Sequence, residues 1–179
     1  MILKRKIISQ NKTAKKYLAE FVYGATDGTV TTFAIIAGAI GASLGSGIIL
    51  VLGFANLLAD GFSMAISNYL STKSQKDMLK QEYSGKSPIK TALATFLSFV
   101  AIGFIPLSAF VFSSFSQIIQ ENKFLISAIM TGIAFSVIGC IKGVIIEKKP
   151  ILSGIESLLI GGVAAFIAFI VGFMLKNLV

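Results

Sequence analysis

The chain has no histidine, no tryptophan and one cysteine, Cys140, in 179 residues. One cysteine excludes an internal disulfide framework, and without histidine neither a Cys/His zinc site nor imidazole acid–base chemistry is available. Acidic residues are also few, eight against sixteen Lys and Arg. No phosphate-binding glycine loop, no nucleophile with a histidine base and no productive carboxylate pair outside the apolar runs can be found. The sequence therefore reads as a non-enzyme without a bound cofactor.

What is abundant is apolar length. Hydrophobic residues make up 55% of the chain and charged ones 13%, and the mean hydropathy is +0.85. Several apolar runs are long enough to cross a bilayer, which places the chain among polytopic membrane proteins of all-α class and excludes a soluble domain. Five transmembrane helices are expected, at about 21–43, 48–71, 90–112, 124–146 and 151–175, and together they form one domain over 21–179. Residues 1–20 open with Met-Ile-Leu-Lys-Arg-Lys but lack the apolar core of a signal peptide. They read as a basic amphipathic arm lying on anionic head groups.

A net charge of +8 would point to nucleic acid in a soluble protein, but the placement of the charges decides otherwise. Lys4, Arg5, Lys6, Lys12, Lys15 and Lys16 precede the first span; Lys73, Lys76, Lys80, Lys86 and Lys90 follow the second; Lys142, Lys148 and Lys149 follow the fourth. Fourteen of sixteen basic residues thus fall on alternate connections, the pattern of cytoplasmic loops. The amino terminus is expected in the cytoplasm and the carboxyl terminus outside, with the lipid bilayer rather than nucleic acid as partner. The expected location is a prokaryotic cell (inner) membrane.

Two spans are too polar to be filler. In the second, Asn56, Asp60, Met64 and Asn68 recur every four residues, forming one helical stripe that drifts about 40° per step. In the first, Asp27 stands in Gly-Ala-Thr-Asp27-Gly-Thr. A charged carboxylate in lipid is costly unless a cation or a base holds it, so intramembrane acids usually mark function. The linker Ser43 to Gly47 is short enough to make the two spans antiparallel neighbours. The connections 72–89 and 113–123 read as a mostly charged cytoplasmic segment and a polar outer loop. Glu20 and Glu156 lie near span ends as secondary candidates, and Glu156 is within reach of Lys142 or Lys149.

Seventeen glycines, with Gly24/Gly28 and Gly41/Gly45 four apart, allow close helix approach in lipid, and Pro106 is expected to kink the third span. So thin a bundle is expected to pair as a homodimer.

The segments Tyr17-Leu-Ala-Glu-Phe-Val-Tyr-Gly-Ala-Thr-Asp27-Gly-Thr-Val-Thr-Thr-Phe33 and Gly53-Phe-Ala-Asn-Leu-Leu-Ala-Asp60-Gly-Phe-Ser-Met64-Ala-Ile-Ser-Asn68 resemble the vacuolar iron transporter family. The resemblance extends to Gly103-Phe-Ile-Pro106-Leu and Ser153-Gly-Ile-Glu156-Ser. It implies a five-span homodimer that moves Fe²⁺ and, in some members, Mn²⁺ out of the cytosol in exchange for protons. Asp27 and Met64 are the matching positions on a path at the dimer interface, with Asp60 in the same motif. Oxygen ligands with one soft thioether suit these ions over Mg²⁺ and Ca²⁺. Family members carry a Glu-rich cytoplasmic domain where this chain has only 72–89. The competing readings are a polar stripe that serves helix packing alone, and transport of another small solute.

Overall fold

The computed structural model describes residues 2–79 and 85–178, with side chains of the first helix from Lys16 onward. Five α-helices follow one another: α1 (Ile2–Gly41), α2 (Ser46–Leu79), α3 (Pro88–Val111), α4 (Gln117–Ile145) and α5 (Pro150–Leu175), with single 3₁₀ turns at Phe112–Phe115 and Lys176–Leu178. No strand occurs among the described residues. Both α3 and α5 start on a proline, whose fixed φ suits the first helical turn and whose missing N–H would have no partner there.

The two tight turns have the same construction. At the end of α1 the Leu44 N–H donates to the Ala39 carbonyl at 2.8 Å and the Ser43 N–H to Ile40 at 2.9 Å. At the end of α4 the Lys148 N–H donates to Gly143 at 2.9 Å and the Glu147 N–H to Val144 at 3.4 Å. Each is a Schellman cap, and each places a non-glycine residue, Ser43 or Glu147, at φ 60°.

Among the described residues, α2, α3, α4 and α5 are long and apolar enough to cross a membrane. Helix α1 is not in that set, because Asp27 and its threonines dilute the apolar run. Its packing accounts for the difference: α1 touches all four other helices, most extensively α3 and α5, and buries Ala25, Thr29, Thr32, Ile36 and Ala37. Polar groups on a helix enclosed by protein need no lipid-compatible surface. At the other extreme, only 6% of the apolar stretch of α5 is buried, so most of that helix is left for lipid or a second protein.

The basic arm leads into the first span as one continuous helix from Ile2. Two connections are more helical than the sequence reading has them. The expected outer loop 113–123 is largely helical: after the 3₁₀ turn, α4 begins at Gln117, and the bend is a single non-helical residue, Asn122. A Gln117–Glu121 hydrogen bond of 3.2 Å supports that first turn. The connection between α2 and α3 is also half helical, since α2 runs to Leu79; Lys80 and Glu82 lie outside the described residues.

Glycines bring α1 close to α3 and α5. A Cβ on Gly28 would run into the Phe99 carbonyl, and one on Gly103 into Gly28, so these glycines set the α1–α3 spacing. Gly38 and Gly172 do the same for α1 and α5. Gly41 meets Phe169 of α5, whereas its expected companion Gly45 has open space. The glycine pattern thus serves packing within the chain. Between α1, α2 and α3 lies the core of Ile36, Ile49, Leu57, Met64, Phe99, Leu107 and Phe110. Helix α3 runs on through Pro106, whose carbonyl accepts the Ser127 hydroxyl of α4 at 2.7 Å.

Candidate functional site

The buried face of α1 fixes where its one intramembrane carboxylate points. Ala25, Gly28 and Thr29 turn inward, so Asp27 emerges beside them, partly buried, at a cleft of about 730 Å³. Its walls include Tyr23 and Thr26 of α1, Lys142 of α4, and Glu156 and Ser157 of α5. Asp60 of α2 is close enough for its charge to act on Asp27. Neither carboxylate has a hydrogen bond or ion pair from the protein among the described residues.

The rest of the α2 stripe is engaged differently. The Asn56 amide donates to Thr31 Oγ1 at 3.1 Å, and the Thr31 hydroxyl donates to the Asp27 carbonyl at 2.8 Å, tying α2 to α1 one turn beyond the carboxylate. Three turns along α2, the Asn68 amide donates to Thr95 Oγ1 of α3 at 2.6 Å. The drift of a four-residue stripe accounts for this change of partner, because three steps of about 40° carry it from one neighbouring helix to the next. Met64, between them, is 8% exposed and packs in the core with Ile36 and Phe99. Its thioether does not line the Asp27 cleft.

The two secondary candidates, Glu20 and Glu156, have basic partners. Glu20 takes a 2.7 Å ion pair from Lys86, while its other oxygen, Oε2, is buried without a partner. The Ser87 N–H donates to the Tyr17 hydroxyl at 3.2 Å, so α1 holds the start of α3 at two adjacent points. Glu156 pairs with Lys142 at 3.7 Å. Among the described residues no group of three or more Cys, Asp or Glu side chains is gathered as a ready cation cage. What the chain offers among the described residues is two carboxylates without protein partners, with amide and hydroxyl dipoles behind them.

Sequence reasoning passed over Thr31, Thr95 and Tyr17. A usable signal existed for Thr31, because a helical hydroxyl four residues after Asp27 is placed to bond back to its carbonyl. The Thr95 and Tyr17 contacts are tertiary and left no local trace.

The VIT family model matches residues 18–86 and 80–173, two pieces that meet in the connection between α2 and α3. The chain is similar to the vacuolar iron transporter of Plasmodium falciparum (isolate 3D7), at 25% identity over 228 aligned positions, covering 91% of this chain and 84% of that protein. The vacuolar iron transporter of Toxoplasma gondii (strain ATCC 50861 / VEG) is also 25% identical, covering 96% and 78%. The vacuolar iron transporter homolog 4 of Arabidopsis thaliana is 31% identical over 160 positions, covering 82% and 77%. The first alignment is longer than this 179-residue chain, so that relative carries segments that this chain lacks.

Proposed function

Because the chain belongs to the VIT family, we propose that this multi-pass membrane protein transports divalent transition-metal ions, Fe²⁺ and Mn²⁺ among them, out of the cytosol in exchange for protons. The path runs past Asp27 and Asp60 where two copies of the chain meet. Family membership supports metal ion transport.

One observation carries the assignment of the path. Among the described residues Asp27 and Asp60 have no protein partner, although an uncompensated charge between transmembrane helices is among the costliest features a chain can keep. The amides on the same stripe are satisfied by neighbouring helices. If the stripe served packing alone, its acids would be clasped like its amides. A divalent cation supplies the missing compensation, and a proton supplies it when the cation leaves, which couples the two fluxes through the same oxygens. A second copy would double the carboxylates available to one ion, and Met64 would reach it only if its core contacts rearranged.

The packing reading survives for part of the stripe. Asn56 and Asn68 hold helices together, and the carboxylates between and beside them do the transport.

The test is uptake into proteoliposomes of purified protein with Fe²⁺, Mn²⁺, Co²⁺ or Zn²⁺ and an internal pH dye. Wild type should move Fe²⁺ or Mn²⁺ with counter-movement of protons, and empty liposomes should not. Absence of flux for all four ions would leave the packing role or transport of another small solute. Orientation follows from the alternate basic connections. Ser87→Cys should label from the cytoplasmic side and Asn177→Cys from the other, in a Cys140→Ser background.

A further inference from the structure

Resting on the transport reading, we infer that Lys142 is the resident counter-cation of the Asp27 cleft. It neutralises Glu156 between transport events and is displaced when a divalent ion passes from Glu156 to Asp27.

Glu156 has a position no other acid shares. It lines the cleft that holds Asp27 and also a second hollow of about 530 Å³ at the α4–α5 turn, lined by Glu147, Lys148, Lys149, Leu152 and Ser153. Basic residues crowd that turn, which places the hollow at the cytoplasmic end of the bundle. An ion moving from there towards the middle of the membrane meets Glu156 first and Asp27 next. Of the three lysines near Glu156, only Lys142 lines the Asp27 cleft itself.

The α4–α5 contact holds the pair in place. A Cβ on Gly139 would collide with the Ser153 carbonyl, and one on Gly143 with the Pro150 backbone, so two glycines bring the helices together one turn before and just after Lys142. The pair nonetheless stays loose. Its 3.7 Å separation is well beyond a charge-assisted hydrogen bond, and the side chains are 35% and 60% exposed. Lys86 and Glu20, by contrast, meet at 2.7 Å with Glu20 at 12% exposure. A long ion pair that the protein encloses so little opens at less cost than a short, buried one. A dication, with twice the charge of an ammonium and attracted to Asp27 as well, can replace Lys142 at Glu156. The lysine then restores neutrality after the ion has moved on, which keeps the acid from trapping its cargo.

Lys142 therefore sets affinity and release through Glu156 and is a positioning residue for the ion. The experiment measures initial rates of Mn²⁺ uptake against concentration for full-length wild type, Lys142→Gln, Lys142→Arg, Glu156→Gln, the Lys142→Gln/Glu156→Gln double variant and Lys148→Gln, with thermal melts for each. Lys142→Gln should lower KM by about three- to tenfold and slow the maximal rate, because Glu156 holds the ion longer. Lys142→Arg should restore both towards wild type. Glu156→Gln should raise KM, the double variant should match it, and Lys148→Gln should keep the wild-type KM. If Lys142→Gln does not fold, Glu156→Gln and Lys142→Arg still carry the test. A transporting wild type whose KM is unmoved by Glu156→Gln, or raised by Lys142→Gln, overturns the inference. A wild type that moves no metal overturns the transport reading beneath it.

Discussion

Asn68 on α2 donates its amide to Thr95 Oγ1 on α3 at 2.6 Å, and the Thr95 hydroxyl donates in turn to the Thr91 carbonyl 3.0 Å away. The Asn68 amide therefore completes the hydrogen bonding of a hydroxyl that is fully buried. Such interhelical bonds average about 0.6 kcal/mol in membrane proteins, with a ceiling near ~1.7. Asn68→Leu should lose a stability in that range, measured by unfolding in mixed micelles. A double-mutant cycle with Thr95→Val should return a coupling of the same size, and additive losses would show that the two residues act separately.

Glycine substitutions should split by location. Gly28→Ala puts a methyl group against the Phe99 backbone, and neither helix backbone can yield as a side chain would. A loss of about 1–3 kcal/mol is expected, the range for forcing extra volume into a packed contact. Gly162 on α5 faces open space, so Gly162→Ala should be neutral or stabilising by up to about 1 kcal/mol through helix propensity. Equal losses at both sites would mean that α5 is covered where one protomer leaves it bare, and that result would itself locate an interface.

The Schellman cap at the end of α1 offers a gain. Ser43 stands at φ 60°, a region costing an L-residue roughly 1–2 kcal/mol that glycine does not pay. Set against glycine's greater freedom in the unfolded chain, Ser43→Gly should stabilise by about 0.5–1 kcal/mol. A raised melting temperature would confirm this, and a lowered one would show that the backbone freedom glycine adds to the unfolded chain outweighs the strain relieved.

Much of this architecture was legible in the chain because lipid imposes simple rules. Apolar length picks out the cores of α2 to α5, while α2 runs on to Leu79 and α4 starts early at Gln117; the shortness of Ser43–Gly47 marks a turn. The arm and first span form one helix because nothing between Lys16 and Phe21 interrupts it, although the composition changes there. Likewise, Gln117 to Lys123 looks polar enough for a loop, yet polar residues at a membrane surface continue a helix without penalty. At the site, spacing put Asn56, Asp60, Met64 and Asn68 on one stripe. It did not reveal that the stripe passes from α1 to α3, leaving Met64 in the core. Which polar groups are clasped and which are free is set by Thr31 and Thr95, residues far away in sequence.

That division allows function to be separated from packing by substitution. Asn56 has a protein partner and Asp27's carboxylate has none, so the two should respond in opposite ways. Asn56→Ala removes a bond to Thr31 and should cost about 0.6–1.5 kcal/mol of stability, while metal uptake per folded molecule falls little. Asp27→Asn removes a charge that no protein group compensates, so the fold should be as stable as wild type or slightly more so. Its uptake should fall at least about thirtyfold, corresponding to the ~2 kcal/mol or more that a charged ligand contributes beyond a neutral one. Asp60→Asn should behave the same way, and the Asp27→Asn/Asp60→Asn pair should be no worse than either alone once flux is at background. Melting curves and Mn²⁺ uptake on the same preparations give both readouts. Were Asp27→Asn to destabilise the protein as Asn56→Ala does, its carboxylate would be a helix clasp and the path would have to be sought on another face of the bundle.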